Sequence, residues 1–194
     1  MFAIGYYAHA TDAIAGAPRL NETLWDSLAS DLPETRNIEL VEFVDIECPS
    51  CRMMESVVAE LTASAGIHRV TRSFPLQYHR NAYRGALLAA CGSRLGQTEL
   101  SSGSIIRALR PLRDTVQVEK ALVDYAASCE VSRADSLAVV RDIELGKAIS
   151  LRGTPTYVVD GYMIGIADSS RLTAVLSQRG SVTRRVLHHL VSLF

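Results

Sequence analysis

Two cysteines separated by two residues, Cys48-Pro49-Ser50-Cys51, are the residues of this chain best suited by type and spacing to do chemistry. In sulfur exchange the attacking species is a thiolate. It forms most readily where a helix begins, because unpaired backbone N–H groups and the helix dipole stabilise an anion there. Pro49 marks such a start, since proline is tolerated at a first helical position. Cys48 is therefore expected at a helix N-terminus as nucleophile. Cys51, three residues on, is expected within reach to resolve a mixed disulfide.

The same pair would also serve as half of a structural zinc site, which needs two further ligands. Cys91 and Cys129 stand apart, and His188-His189 lack the usual spacing of a histidine pair. Two neighbouring thiolates also suit Cu(I), so a Cu(I)-binding metallochaperone is the competing reading. Met53 and Met54 are the nearby soft ligands it would draw on.

Glu42 separates these readings. It lies six residues before Cys48, in an apolar run from Asn37 to Ile46 that reads as a strand. Ile38, Leu40, Glu42, Val44 and Ile46 share one face of that strand, so a carboxylate interrupts an aliphatic row. On an edge strand Glu42 would reach water. In a central strand, the position so apolar a run favours, its pKa is expected to rise, and it is fit to accept the proton of Cys51 as that thiol attacks. Gly153-Thr154-Pro155 is the third element. The Thr154–Pro155 bond is a candidate cis peptide, and the Thr154 backbone is free to pair with an extended substrate segment. By itself, Gly-Thr-Pro is also an ordinary turn.

The surrounding pattern supplies the elements that hold these residues. Asn21 caps a short helix to Leu32 with Leu24, Trp25 and Leu28 on one face. After Cys48, a stripe of Met53, Met54, Val57, Val58 and Leu61 predicts a helix ended by Gly66, with a second strand from Ile67 to Phe74. A strand–helix–strand unit implies a parallel pair. From Asn81 to Leu151 the chain reads as helical: Ala82 to Leu95, a break at Pro111, then helices opened by Asp114 with Gln117 and by Ser132 with Asp135. Asp160-Gly161 between two short apolar runs predicts a two-residue hairpin. Asp168 caps a following helix, and Val182 to Phe194 is expected to form one more. The predicted architecture is α/β, a βαβ…ββα thioredoxin fold with an inserted helical domain. Residues 1–36 form a leader and short helix, 37–78 and 152–180 the core, 79–151 the insertion and 181–194 a helical tail.

The stretches Leu40 to Cys51, Phe74-Pro75-Leu76 with His79 and Ala82, and Arg152 to Gly161 together resemble the DsbA-like thioredoxin-fold oxidoreductases, over about Trp25 to Leu176. The resemblance implies Cys48 as nucleophile, Cys51 as resolving cysteine, Glu42 as buried acid and Pro155 as a cis-proline facing the disulfide. It places substrate against Pro49, Ser50, Thr154 and Pro155. It also implies protein substrates bearing thiols or disulfides, a membrane-bound recycling partner, a periplasmic or other extracytoplasmic location, and no metal or organic cofactor. The chain departs from the family in its Pro-Ser dipeptide, where the best-known oxidases carry Pro-His. It also lacks an aromatic-rich segment between Gly96 and Asp114, and its tail from Gly180 is long.

Composition sets the outer bounds. With 48% hydrophobic and 21% charged residues, the 194-residue chain can bury an ordinary core. A net charge of −1 gives no electrostatic footprint for nucleic acid. Met1 to Ala10 is apolar and ends in an Ala-x-Ala pattern, yet no Lys or Arg precedes Arg19. That leader reads either as a truncated export signal or anchor, or as an ordinary leader. Cys91 and Cys129 read either as a structural disulfide across the insertion or as two buried free thiols. His79 is expected to satisfy local backbone groups. Arg184 to Val191 has an amphipathic look that suits packing on the core more than membrane contact.

Overall fold

The computed structural model describes residues 16–29, 39–112, 114–166 and 169–177. The proposed leader, Asn37 and Ile38, the cap Asp168 and the tail 181–194 lie outside these residues. Helix α1 spans Glu22–Ala29, with the Asn21 side chain accepting the Leu24 N–H at 2.9 Å. Strand β1 (Glu39–Val44) leads to α2 (Pro49–Ala65) and β2 (His68–Ser73). Four helices follow: α3 (Ala82–Leu95), α4 (Ser102–Leu109), α5 (Thr115–Ala126) and α6 (Arg133–Ala148), with a single 3-10 turn at Thr98–Leu100. Strands β3 (Thr156–Val159) and β4 (Tyr162–Gly165) close the described fold, and residues 169–177 are helical.

The strands form one sheet in the order β2-β1-β3-β4, so β1 is an inner strand. This explains why residues on both of its faces, Leu40 to Ile46, are buried. Asp160 and Gly161 both take positive φ, 49° and 83°, as the tight turn between β3 and β4 requires. Gly66 ends α2 at φ 64°. The chain divides into two compact units. One comprises Met1–Val41, Val57–Val70 and Tyr157–Phe194; in it the outer strand β4 is met by an antiparallel bridge from Arg19 to Tyr162, which covers a sheet edge. The other comprises Glu42–Ser56 and Thr71–Thr156 and contains the Cys-Pro-Ser-Cys turn.

Two helix starts are built as the pattern predicts. Ser132 and Asp135 form a complete capping box on α6, while Asp114 accepts the Gln117 N–H at 2.8 Å at the start of α5. The stripe predicted on α2 is narrower than expected. Met54 and Val58 are buried, whereas Met53 and Val57 are 60% and 41% exposed. Neighbouring residues on a helix point about 100° apart, so one member of each pair must turn outward. The inward row instead admits Glu55, whose carboxylate meets Arg107 at 2.6 Å.

Candidate active site

Cys48 sits immediately before the first residue of α2. Its N–H donates to the Asp45 carbonyl at 3.1 Å, and its own carbonyl accepts the Arg52 N–H at 3.1 Å, the first bond of the helix. The sulfur is thus held where backbone N–H groups converge. Both Cys48 and Cys51 are free thiols, and both are buried. Behind them lies an apolar cluster of Val44 and Ile46 from the β1 side, Leu88 from α3, Ile105 and Leu109 from α4, and Leu122 from α5. A Cβ at Gly85 would overlap the Ile46 side chain, so glycine there lets α3 approach the active-site turn closely.

The turn before Cys48 is tied down by two acids. The Asp45 carboxylate accepts the N–H groups of Glu47 and Leu76, each at 2.8 Å, and meets His79 Nδ1 at 2.8 Å. Glu47 accepts the backbone N–H and side-chain amide of Asn81. His79 therefore holds a carboxylate rather than only the local backbone groups expected of it. Sequence reasoning passed over Asp45 and Glu47. The available signal was two acids closing a strand that is otherwise apolar, directly before the reactive pair.

The two thiols are driven apart electrostatically. Cys48 is lowered from 9.0 to about 5, first by the Cys51 thiol donating to its sulfur. Burial opposes this, while the Thr154 hydroxyl and the Cys51 and Ser50 N–H groups add to it. Cys51 is pushed far up, first by burial and then by the adjacent Cys48 thiolate that accepts its hydrogen. As a thiol, Cys48 donates to the Thr154 carbonyl at 3.2 Å. In that state the Thr154 hydroxyl is buried without a partner. Once the proton leaves, the same hydroxyl is available to donate to the thiolate, which is where it favours ionisation. The Thr154–Pro155 peptide is cis, and both residues are buried.

Of the residues singled out from sequence, the structure brings together Cys48, Cys51 and Thr154. Pro155 is joined to Thr154, and Pro49 and Ser50 occupy the intervening turn, Pro49 exposed and Ser50 half-buried. Glu42 is buried on the inner strand, 1% exposed. Cys91 and Cys129 are joined in a disulfide well away in sequence from the pair. The two thiols should be told apart by alkylation. Iodoacetamide is expected to modify Cys48 alone, with a rate that rises to half its plateau near pH 5, while Cys51 stays unmodified up to pH 9. A midpoint near pH 9 would show that the surroundings of Cys48 do not stabilise its thiolate.

A family model described as Thioredoxin matches residues 36–178. No curated protein matches the chain. Among solved structures, it is similar to a periplasmic thioredoxin-like protein from Salmonella enterica serovar Typhimurium, at 14% identity and TM-score 0.67, covering 84% of this chain and 99% of that one. It is also similar to the thiol-disulfide exchange protein alpha-DsbA2 from Wolbachia pipientis, at 14% identity and TM-score 0.60, covering 91% and 100%. The catalytic domain of Proteus mirabilis ScsC matches at 14% identity and TM-score 0.60, covering 91% and 98%. At these identities the structural likenesses speak to the fold.

Proposed function

The chain belongs to the thioredoxin family, and from that premise we propose that it is a thiol–disulfide oxidoreductase exchanging a Cys48–Cys51 disulfide with protein substrates. The observation that carries this reading is the placement of Cys48 at the start of α2 with Cys51 buried one turn deeper, which displaces the two thiols in opposite directions, Cys48 down to about 5 and Cys51 upward. Titratable neighbours whose environments push them apart divide the roles of a reaction between them. A sulfur that ionises at about 5 is thiolate at neutral pH and a good leaving group. A sulfur held protonated leaves or attacks only with a proton transfer.

The environment of Cys48 stabilises the reduced form, which favours the oxidising direction. A client thiolate attacks Cys48 Sγ and breaks the Cys48–Cys51 bond, whose electron pair stays on Cys51. A second client thiolate then attacks the client sulfur of the mixed disulfide and expels Cys48 as thiolate. Cys51 must take up a proton in the first step, and Glu42 is the residue to which we assign that transfer. The extended client segment lies against the Thr154 backbone beside Pro155, with Pro49 and Ser50 flanking the reacting sulfur. No metal or organic cofactor enters these steps.

The Cu(I)-chaperone reading is less well supported. A metal held between both sulfurs needs both as thiolates, and burial disfavours a thiolate at Cys51. We place the exchange outside the cytoplasm, with a membrane-bound partner to reoxidise the pair. The Cys91–Cys129 disulfide suits an oxidising compartment, and the similar Salmonella protein is described as periplasmic. Among the described residues no helix is long and apolar enough to cross a membrane.

The test is equilibration with glutathione under metal-free conditions. A reversible loss of two hydrogens at Cys48 and Cys51 is expected, with a potential nearer the roughly −120 mV of a strong oxidant than the roughly −270 mV of thioredoxin. Absence of a reversible disulfide would sink the reading in favour of Cu(I). Glu42→Gln is expected to slow the step in which Cys51 gains or loses its proton by roughly a hundredfold, and to slow attack by Cys48 far less. Equal slowing of both steps would make Glu42 a structural residue.

A further inference from the structure

A cleft of about 300 Å³ opens beside the active-site turn, lined by Pro49, Arg52, Met53, Arg110 and Leu112. Two of these residues are arginines and none is acidic. Arg52 is anchored, donating to the carbonyl of Ile46 at 3.2 Å and to that of Leu112 at 3.0 Å. Arg110 is exposed, and its partner differs in kind from those of three other arginines of this unit. Arg72, Arg94 and Arg107 each face a carboxylate. Arg110 donates only to the Ser56 hydroxyl, at 3.0 Å, and meets no carboxylate among the described residues. Beside it, Met53 offers a largely exposed, adaptable apolar wall.

A guanidinium without an acid, set over methylene-binding walls, complements a carboxylate on a short apolar stem. Pro49 both lines the cleft and adjoins Cys48 in the chain, so a residue next to a cysteine engaged at Cys48 comes within reach. Deepening the exchange reading above and resting on it, we infer that this cleft selects clients whose reactive cysteine is flanked by Glu or Asp, with Arg110 the specificity-determining residue. The client carboxylate docks on the Arg110 guanidinium while its methylenes lie on Met53 and Leu112. The sulfur chemistry is unchanged. Two electrons pass from two client thiolates to the enzyme disulfide, one new client disulfide forms, and the carboxylate is not consumed.

The experiment uses the oxidised protein and three single-cysteine peptides alike except for Glu, Gln or Lys beside the cysteine. Rates of mixed-disulfide formation are corrected for each peptide's own thiolate fraction, because the flanking charge shifts it. The Glu peptide should react roughly threefold faster than the Gln peptide, and the Lys peptide more slowly than either. The spread should shrink at high salt. Arg110→Gln should bring the ratios close to one, and Arg110→Glu should invert their order. Equal rates with the three peptides, or an order that survives both substitutions, would overturn the inference while leaving the exchange reading intact. Failure to react with any peptide would overturn both.

Discussion

Cys51→Ser is expected to turn a transient intermediate into a stable product, and Cys48→Ser to abolish exchange. The two results follow from different physical facts about neighbouring sulfurs. Cys48 carries the thiolate, so a hydroxyl in its place, which does not ionise near neutral pH, should cost at least roughly a thousandfold in rate. Cys51 is nearly inaccessible, 1% exposed, and burial holds its proton on. Its use is confined to attack on, or departure from, the adjacent Cys48 sulfur. Without it, a client disulfide attacked by Cys48 has no internal route of release, and the mixed disulfide accumulates. Trapped clients resolved by mass on non-reducing gels check the first claim, and turnover of a disulfide-bonded protein checks the second. Exchange by Cys48→Ser at the native rate would contradict the assignment of the nucleophile.

The same pKa links pH to stability, and its sign is fixed by direction. Cys48 is depressed from 9.0 to about 5 in the folded dithiol. The stability it contributes is therefore fully present above pH 9 and falls away as pH drops through about 5. The disulfide form has no such group to titrate. The reduced form should accordingly gain on the oxidised form as pH rises across that window.

What could be read from sequence was whatever a local pattern enforces. Pro49 at a helix start, the Ser132–Asp135 box and the Asp160-Gly161 hairpin each obey rules that act within four residues. The inner position of β1 followed from its apolar residues on both faces, and with it the burial of Glu42. Partners distant in sequence were not legible. Asp45 meets His79 across 34 residues, and Arg94 meets Asp135 across 41. No local rule couples such positions, and an acid at a strand end reads as solvated until the fold brings a donor to it. Met53 and Val57 were misplaced for a related reason. Five apolar residues on one helix do not declare which of them face inward when the buried Glu55, paired with a half-exposed Arg107, occupies part of that face. The arginine-lined cleft was equally invisible, since Arg52 and Arg110 meet only through α2 and the end of α4.

Removing the second cysteine pair should cost about 4 kcal/mol of stability. The Cys91–Cys129 bond closes a loop of 38 residues, and the chain-entropy relation for a loop of that size gives about that figure. The double substitution to alanine is the cleaner variant, because a single one would leave a thiol free to react with Cys48–Cys51. Local order should survive it. Arg94 holds Asp135 through two bonds, at 2.8 and 3.0 Å, and also donates to the Glu130 carbonyl at 3.0 Å. That two-pronged pair keeps the Asp135 carboxyl down at about 2, so its charge persists at neutral pH. The double variant should therefore keep its helical circular dichroism while its denaturant midpoint falls. A loss below about 1 kcal/mol would mean that Arg94, Asp135 and the packing of Leu100 already close the loop. Burial makes a second expectation. Cys91 is 0% and Cys129 4% exposed, and thiol attack on a disulfide requires access to a sulfur. Mild reductant should thus release two thiols from the native oxidised protein and four only after unfolding. A protein that exchanges disulfides at Cys48 and Cys51, as proposed, needs its stabilising one where its own nucleophile cannot reach.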